Sequence, residues 1–405
     1  MRNLIDEYSK CINCGFCEAV CPTYPASGYR ASFGARGRIN LANLAVGEIK
    51  KDGKIRTNVE NYFYTCLSCY ACLQVCPAGV NAGKVSDFMK VVIAEKEYTE
   101  KTQENPVARM IVEVTMKYMN PLGVRDVCAR WAEGIDFDDS DTILYTGNMY
   151  QLMAYSKKLI DNLRSREDLM VKGARLIIQY PPLIKIFKNF YDIETMEKME
   201  EYLRNIVFLL KKAGVKFSYL GEEEPYPGTM MFDFGYLKEF SDYANRVVDI
   251  FRKHKVRRII VVDPHTYDLM KNEYPKYVKN FDFEVIHYLD LLRNLDFKNI
   301  GEDLTYHEPC HLTRRLNYDY PKILLSKIGR LKMPDRNGKN TFCCGGPDEM
   351  LYPNLSERVS MIRYMELKET GAKKIITACP ICYANLAKDN SVEDISSLLI
   401  KSLKS

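Results

Sequence analysis

The chain contains no stretch approaching the roughly 18 uninterrupted apolar residues that a membrane-spanning helix needs, which excludes a spanning segment of that kind. Its first ten residues carry Arg2, Asp6, Glu7 and Lys10 with no apolar run behind them, so a secretory signal is not expected. No G-x-G-x-x-G fingerprint follows any strand-like run, so a dinucleotide or flavin fold has no signature here. Tryptophan occurs once, and glutamine is confined to Gln74, Gln103, Gln151 and Gln179. With 27% charged residues and 28 tyrosines, that bias is compatible with a thermophilic source. At 405 residues the chain exceeds what one core usually serves, so two or three domains are expected. The 46% hydrophobic content suits a soluble, cytoplasmic protein whose membrane attachment, if any, is peripheral or through a partner. Cysteine is the residue in excess. There are 14, mostly grouped, and in a reducing compartment grouped cysteines are better explained by metal than by disulfides.

Texture divides the chain into residues 1–100, 101–140, 141–300 and 301–405. The first zone holds eight cysteines among Gly and Pro and closes on a helix-like pattern from Val85 to Glu97. The second, polar and charged with Pro106, Pro121 and Gly123 as breakers, reads as a connecting helix and linker carrying Cys128 and Trp131. From Asp141 short β-like runs alternate with longer helical segments. The runs are Thr142–Thr146, Val215–Leu220, Arg258–Val262, Glu284–His287, Leu304–His307 and Lys374–Ala378. The expected fold is α+β, a helical N-terminal domain followed by two α/β repeats with parallel strands. The repeats are visible internally, because Arg257–Tyr267 lies over Lys373–Tyr383 without a gap. Looser matches set Leu144–Asn148 against Tyr306–Cys310, and Tyr219-Leu220-Gly221 against Cys343-Cys344-Gly345.

Cys11, Cys14, Cys17 and Cys21-Pro22, and again Cys66, Cys69, Cys72 and Cys76-Pro77, follow C-x2-C-x2-C-x3-C-P. That spacing wraps three thiolates around one [4Fe-4S] cubane and sends the fourth to its neighbour. Cys11, Cys14, Cys17 and Cys76 are thus assigned to one cluster, and Cys66, Cys69, Cys72 and Cys21 to a second. Structural zinc, the competing reading, does not explain the fourth cysteine and its proline twice over. A cubane held by four thiolates carries about −2, so two of them offset the formal +5 that would otherwise suggest nucleic acid.

The third motif is Cys310, then Cys343-Cys344-Gly345-Gly346, then Cys379-Pro380-Ile381-Cys382, one thiol more than a cubane needs. With its flanks His307-Glu308-Pro309-Cys310-His311-Leu312 and Ala378-Cys379-Pro380, this resembles the cysteine-rich CCG domain of heterodisulfide reductases. A ferredoxin-like domain followed by two CCG repeats is similar to the D subunit of heterodisulfide reductase. It is similar also to iron–sulfur subunits of anaerobic glycerol-phosphate dehydrogenase, glycolate oxidase and a membrane-associated sulfite-reduction complex. The resemblance implies a noncubane [4Fe-4S] cluster at Cys310, Cys343, Cys344, Cys379 and Cys382, with a conventional cubane plus one spare thiol as the alternative. It also implies that the first repeat, with Asn148, Tyr219, Leu220, Asp263 and Thr266 where cysteines would stand, has lost its cluster, since these are not soft ligands.

His307 and His311 flank Cys310 and are the candidates for handling protons, against the ordinary reading that each satisfies a backbone group. Glu308, Asp348 and Glu349 are weaker proton carriers, and His265 reads as structural. Arg30, Arg36 and Arg38, with Gly34 and Gly37, either offset cluster charge or form a solvated basic loop. Cys128 reads as a small buried hydrophobe. Ala174–Phe190, apolar and basic around Pro181-Pro182, reads as an interior helix pair, with a membrane or partner surface as the alternative. The expected function is electron relay between a separate flavoprotein dehydrogenase and a quinone or other acceptor, with a membrane or quinone-reactive subunit as a further partner. The rival is an oxidoreductase in its own right that forms or breaks a disulfide at the third cluster.

Overall fold

The computed structural model describes residues 2–95, 98–99 and 104–404. The expected border at residue 100 and the last residues of the pattern ending at Glu97 therefore lie outside the described residues. Within the first domain, helices Ala35–Asp52 and Ala82–Ala94 bury Ile39, Ala42 and Val46 on one and Val85, Met89 and Ile93 on the other. The second starts at Asn81, whose side chain accepts from the Lys84 N–H at 3.0 Å, an N-cap. Its first turn closes the cysteine-bearing loops from below.

The segment read as a linker is built into the core. Asn105 caps helix Pro106–Tyr118 by accepting from the Val107 and Ala108 N–H groups, and Pro106 sits at the first helical position, where no N–H is needed. The helix buries Val107, Met110, Ile111 and Val114, while Arg109, Glu113 and Lys117 supply the polar texture of its other face. Trp131 is fully buried and donates its Nε1–H to the Tyr219 hydroxyl at 3.1 Å.

Two four-stranded parallel sheets follow, with the same strand order. The first comprises β1 (Thr142–Tyr145), β2 (Ser218–Tyr219), β3 (Arg258–Val261) and β4 (Glu284–His287) in the order β2-β1-β3-β4. The second comprises β5 (Asp303–His307), β6 (Arg330–Leu331), β7 (Lys374–Thr377) and β8 (Val392–Asp394) in the order β6-β5-β7-β8. Ile143 pairs with Ile259 as Thr305 pairs with Ile375. The run expected over Val215–Leu220 shrinks to two residues. β6 and β8 carry too few apolar residues to stand out in the sequence.

This topology corrects one internal match. Tyr219 lies on β2, whose counterpart is β6, whereas Cys343 lies well beyond β6 in the loop before helix Pro353–Glu369. The equivalent loop of the first repeat precedes helix Leu237–Lys253 and contains Tyr226-Pro227-Gly228. Gly228 (φ 85°) and Gly345 (φ 90°) share the left-handed backbone that glycine adopts without strain. Tyr226 and Pro227, not Tyr219 and Leu220, therefore stand where the second repeat has its adjacent cysteines. Pro227 has no donor for a metal.

The segment Ala174–Phe190 departs from its interior reading as well. Helix Glu167–Gln179 gives way at the double proline to a 3-10 helix, Pro181–Asn189, but from Glu167 to Asn189 only Met170, Ala174 and Ile184 are buried. The proline break was readable, and the side of the protein it faces was not.

Candidate functional site

Left-handed residues bend both C-x2-C-x2-C turns: Asn13 (φ 56°) and Gly15 (φ 84°) in the first, Ser68 (φ 46°) and Tyr70 (φ 55°) in the second. The consequence is that thiols close in sequence converge. Cys11, Cys14, Cys17 and Cys76 line one small cavity, and Cys21, Cys66, Cys69 and Cys72 line another, each of about 20 Å³. Each motif's fourth cysteine crosses to the other's cavity. Backbone N–H groups point at sulfur, Val80 to Cys76 at 3.2 Å and Gly83 to Cys72 at 3.3 Å, and such donors favour the thiolate that a metal requires. No disulfide joins any of the 14 cysteines. Burial pushes the Cys17 thiol up to about 12, helped by the neighbouring Cys21, so this group gives up its proton readily only to a cation placed among the sulfurs.

The basic loop between the motifs divides into distinct roles. Arg30 is exposed, whereas Arg36 pairs with Glu18 at 3.0 Å on the wall of the first cavity. Arg38 is fully buried on the wall of the second. Its guanidinium donates to the Tyr62 carbonyl at 2.6 Å, to Thr23 and Thr65, and to the Cys21 sulfur at 3.7 Å. Although burial opposes its charge, Cys66 and Cys21 hold its pKa above the ordinary value.

The five remaining motif cysteines gather at the C-terminal ends of the second sheet's strands. Cys310 follows β5, Cys379 follows β7 and caps helix Pro380–Leu386, and Cys343 and Cys344 descend from the loop between them. Gly346 makes the approach possible, because a Cβ there would lie 2.2 Å from Ile381 Cγ2. The Cys343 sulfur lies within hydrogen-bonding reach of Cys310, Cys344 and Cys69, and the Cys382 sulfur within reach of Cys344 and Cys379, so each single thiol proton has several sulfur acceptors to choose from. Cys310 and Cys344, as acceptors from Cys343, are held below their ordinary pKa. Burial and the neighbouring sulfurs hold the Cys343, Cys379 and Cys382 thiols above their ordinary pKa, so the contiguous set of soft donors fits an iron–sulfur centre whose metal displaces those protons. His307, Cys344 and Cys382 offer ligand atoms within 4.8 Å of one another. Cys69 belongs to both assemblies: it lines the second ferredoxin cavity and accepts from Cys343.

The two candidate histidines face different neighbours. His307 is buried, accepts from Arg363 Nε at 3.1 Å and hydrogen-bonds with Cys344, while burial lowers its pKa. His311 Nδ1 lies 2.7 Å from Asp268, and its ring sits 4.3 Å from that of His265. His265 is not a bystander, since its Nε2 pairs with Asp233 at 2.9 Å. Despite its burial, Asp233 is held down at about 2 by that histidine, and His265 is raised against its own burial by the carboxylate. Arg315 pairs with Asp268 and covers the Tyr70 ring, and Tyr70 donates to Asp87 at 2.7 Å. This chain of polar groups joins the two repeats to the ferredoxin motif and ends in a solvent-open groove lined by Asp87, Asp233 and Arg315. Sequence reasoning missed Asp233, Asp268 and Arg315. They are drawn from separate elements with no shared spacing.

Of the carboxylates, Glu308 accepts from the Gly338 N–H and pairs with Lys322, an anchoring role. Burial pushes Asp348 and Glu349 up to about 7. Glu349 lines a small apolar cavity between the repeats, about 60 Å³, with Met149, Met153, Met350, Ile381 and His265 on its walls. In the first repeat Asn148 stands where Cys310 stands in the second. Asn148 donates to Glu224 at 3.1 Å, and Glu224 also accepts from the Thr146 N–H and hydroxyl at 2.6 Å each. Asp263 caps its helix by accepting from the His265 and Thr266 N–H groups. These positions offer hard oxygens in place of thiols: Asn148 Oδ1 accepts from Asn120 at 3.0 Å, while among the described residues Asp263 Oδ2 and Thr266 Oγ1 are buried without a hydrogen-bond partner. Cys128 is buried away from the motif cysteines, and burial pushes its thiol up.

Residues 7–80 match the family described as a 4Fe-4S dicluster domain, and residues 304–387 match the family described as a cysteine-rich domain, CCG. The D subunit of the dihydromethanophenazine:CoB–CoM heterodisulfide reductase of Methanosarcina barkeri is 23% identical over 98% of this chain and 94% of its own length. The EtfAB:quinone oxidoreductase of Syntrophomonas wolfei is 24% identical over 100% of this chain, which spans 59% of that protein. A probable glycolate oxidase iron–sulfur subunit of Bacillus subtilis is 38% identical over 92 residues, 22% of this chain and 20% of that protein.

Proposed function

We propose that this iron–sulfur protein, which is similar to the D subunit of heterodisulfide reductase, relays electrons between a flavoprotein dehydrogenase partner and a quinone or other acceptor, at the inner face of a membrane. The observation that carries the reading is the contact at Cys69, where the second ferredoxin cavity and the five-cysteine group share a wall. Two four-cysteine groups and one five-cysteine group in series form a wire with short steps. The iron–sulfur clusters, when bound, supply one-electron uptake and release. Cys11, Cys14, Cys17 and Cys76 would hold the first, Cys21, Cys66, Cys69 and Cys72 the second, and Cys310, Cys343, Cys344, Cys379 and Cys382 the third. The chain's own residues tune and insulate the path. Arg38 sets positive charge against the second group, and Leu67, Phe342 and Leu355 exclude water between the second and third.

Cys14 is exposed, with Ile12 66% and Phe16 60% exposed beside it. That end is the port for the flavoprotein, which supplies the flavin this chain has no fingerprint for. The quinone in one relative's name, and the oxidase iron–sulfur subunit in another's, support an iron–sulfur link between a dehydrogenase and an acceptor. Cys14→Ser or Cys69→Ser should stop electron transfer from partner to acceptor while residues 141–405 stay folded. Full activity in both variants would refute the relay.

A second reading, disulfide chemistry at the five-cysteine group, is favoured by the apolar cavity that reaches Gly346 and Ile381 and carries His265 and Glu349. Thiols added to the oxidised protein should then alter its EPR spectrum, and Cys379→Ser should abolish the change. Spectra indifferent to every thiol and disulfide leave the relay alone.

A further inference from the structure

Five of the protein's exposed large apolar side chains fall within one short segment: Leu169, Leu176, Tyr180, Leu183 and Ile186. Tyr180 is 61% exposed and Ile186 70%, so most of each residue faces solvent. Elsewhere exposed large apolar residues occur singly, as Leu44 and Ile323 do, or in pairs, as Ile12 with Phe16 and Met361 with Met365 do. On helix Glu167–Gln179 the exposed Leu169 and Leu176 are separated by two turns and so lie on one face, with Lys172 and Arg175 between them. The chain then breaks at Pro181-Pro182 into the 3-10 helix Pro181–Asn189, which adds Leu183, Lys185 and Ile186. From Leu169 to Tyr191 the charged residues are Lys172, Arg175, Lys185 and Lys188, with no carboxylate among them.

The segment is held firmly in this position. Ile184 is buried against Gly123, where a Cβ would lie 2.9 Å from its Cγ2, so the loop and the 3-10 helix meet without space to spare. Tyr155 donates to the Lys188 carbonyl at 3.3 Å, Tyr118 contacts the Pro181 carbonyl, and Lys188 pairs with Asp126. The apolar face is therefore presented by fixed backbone, not by a loop that folds back to cover it.

We propose that this segment is a membrane-docking surface, which lies in the headgroup region of an anionic bilayer with its leucine, isoleucine and tyrosine side chains inserted and Lys172, Arg175 and Lys185 on lipid phosphates. The composition separates this occupant from a protein partner. Lysine is depleted from the cores of protein interfaces, whereas on an anionic bilayer its stem lies along the apolar layer and its ammonium reaches the phosphates. Leucine and isoleucine on one side with cations beside them are what an interfacial helix carries. Among the described residues no helix is long and apolar enough to cross a membrane, so attachment of this kind is lateral. The inference rests on the proposed position at the inner face of a membrane and not on the electron relay, so vesicle binding and electron transfer can fail separately.

The test is co-sedimentation of the full, anaerobically reconstituted chain with vesicles of phosphatidylglycerol and phosphatidylcholine in equal parts, against phosphatidylcholine alone. Binding is expected to the anionic vesicles and to weaken as salt rises. Leu176→Glu with Ile186→Glu should lower it at least tenfold, and Lys172→Gln or Lys185→Gln should lower it roughly fivefold each, the worth of one cation near an anionic surface. Ile323→Glu, an exposed isoleucine elsewhere, should change nothing. All these side chains are on the surface, and unchanged cluster absorbance confirms the fold of each variant. Failure of the wild type to bind anionic vesicles at low salt, or equal binding by the Leu176→Glu/Ile186→Glu variant, overturns the proposal. So does a wild-type dimer that this variant converts to monomer, which would make a second copy the occupant.

Discussion

Replacing Arg38 tests the electrostatics of the second ferredoxin cavity directly. Its charge sits 3.7 Å from the Cys21 sulfur and, buried, is not screened by water. At an effective dielectric of about 20, a unit charge about 7 Å from the electron it stabilises contributes roughly 2.4 kcal/mol, equal to about 100 mV for one electron. Arg38→Gln should therefore lower the potential of the cluster held by Cys21, Cys66, Cys69 and Cys72 by about 100 mV, because a nearby cation favours the more negative, reduced form. Arg38→Lys keeps the charge but loses the planar fork that reaches Tyr62, Thr23 and Thr65 together, at about 1 kcal/mol of stability for each acceptor or hydroxyl left unpaired. Its potential should stay near wild type. The assay is an anaerobic redox titration followed by EPR, with iron content checked in each variant. Unchanged potentials in Arg38→Gln, or equal shifts in all clusters, would refute the assignment of Arg38 to this one group.

Reconstituted anaerobic protein should contain about twelve irons per chain, and about sixteen would show that the first repeat holds a cluster despite Asn148, Tyr226, Pro227, Asp263 and Thr266. Gly37→Ala should destabilise by about 3 kcal/mol, since its Cβ would lie 1.8 Å from the Ala31 carbonyl oxygen, whereas Gly47→Ala in the same helix meets nothing and should stabilise by roughly 0.5–1 kcal/mol; thermal midpoints separate the two. Glu224 is raised by burial from 4.5 to about 7, so the folded chain keeps a proton that the unfolded chain releases. Stability through this group falls as pH rises, by about 2 kcal/mol between about pH 5.5 and 7, and Glu224→Gln should flatten that slope in urea unfolding followed by Trp131 fluorescence.

Much of the site was readable because it is local. Three cysteines within seven residues must converge if the turn is tight, and the proline after the fourth ends the helix wherever that thiol goes. The β-rich runs Arg258–Val261 and Lys374–Thr377 were readable for the same reason, as continuous apolar strands buried on both faces. Weak signals failed. β6 and β8 are too short to carry a pattern, helix Pro106–Tyr118 hid its buried face behind Arg109, Glu113 and Lys117, and Tyr219 was matched to Cys343 because a short aromatic run mimics alignment where strand order says otherwise.

By itself the sequence determined the grouping of the cysteines and the duplication, since both are written in spacing along the backbone. Only the tertiary structure decided that Cys69 touches Cys343, that His265 stacks on His311 between Asp233 and Asp268, that Arg38 is buried against sulfur while Arg30 is not, and that Leu176 and Ile186 face outward. Each of those facts joins residues far apart in the chain, or concerns which side of an element meets the core. Spacing carries no information about either, because both depend on how separate elements pack.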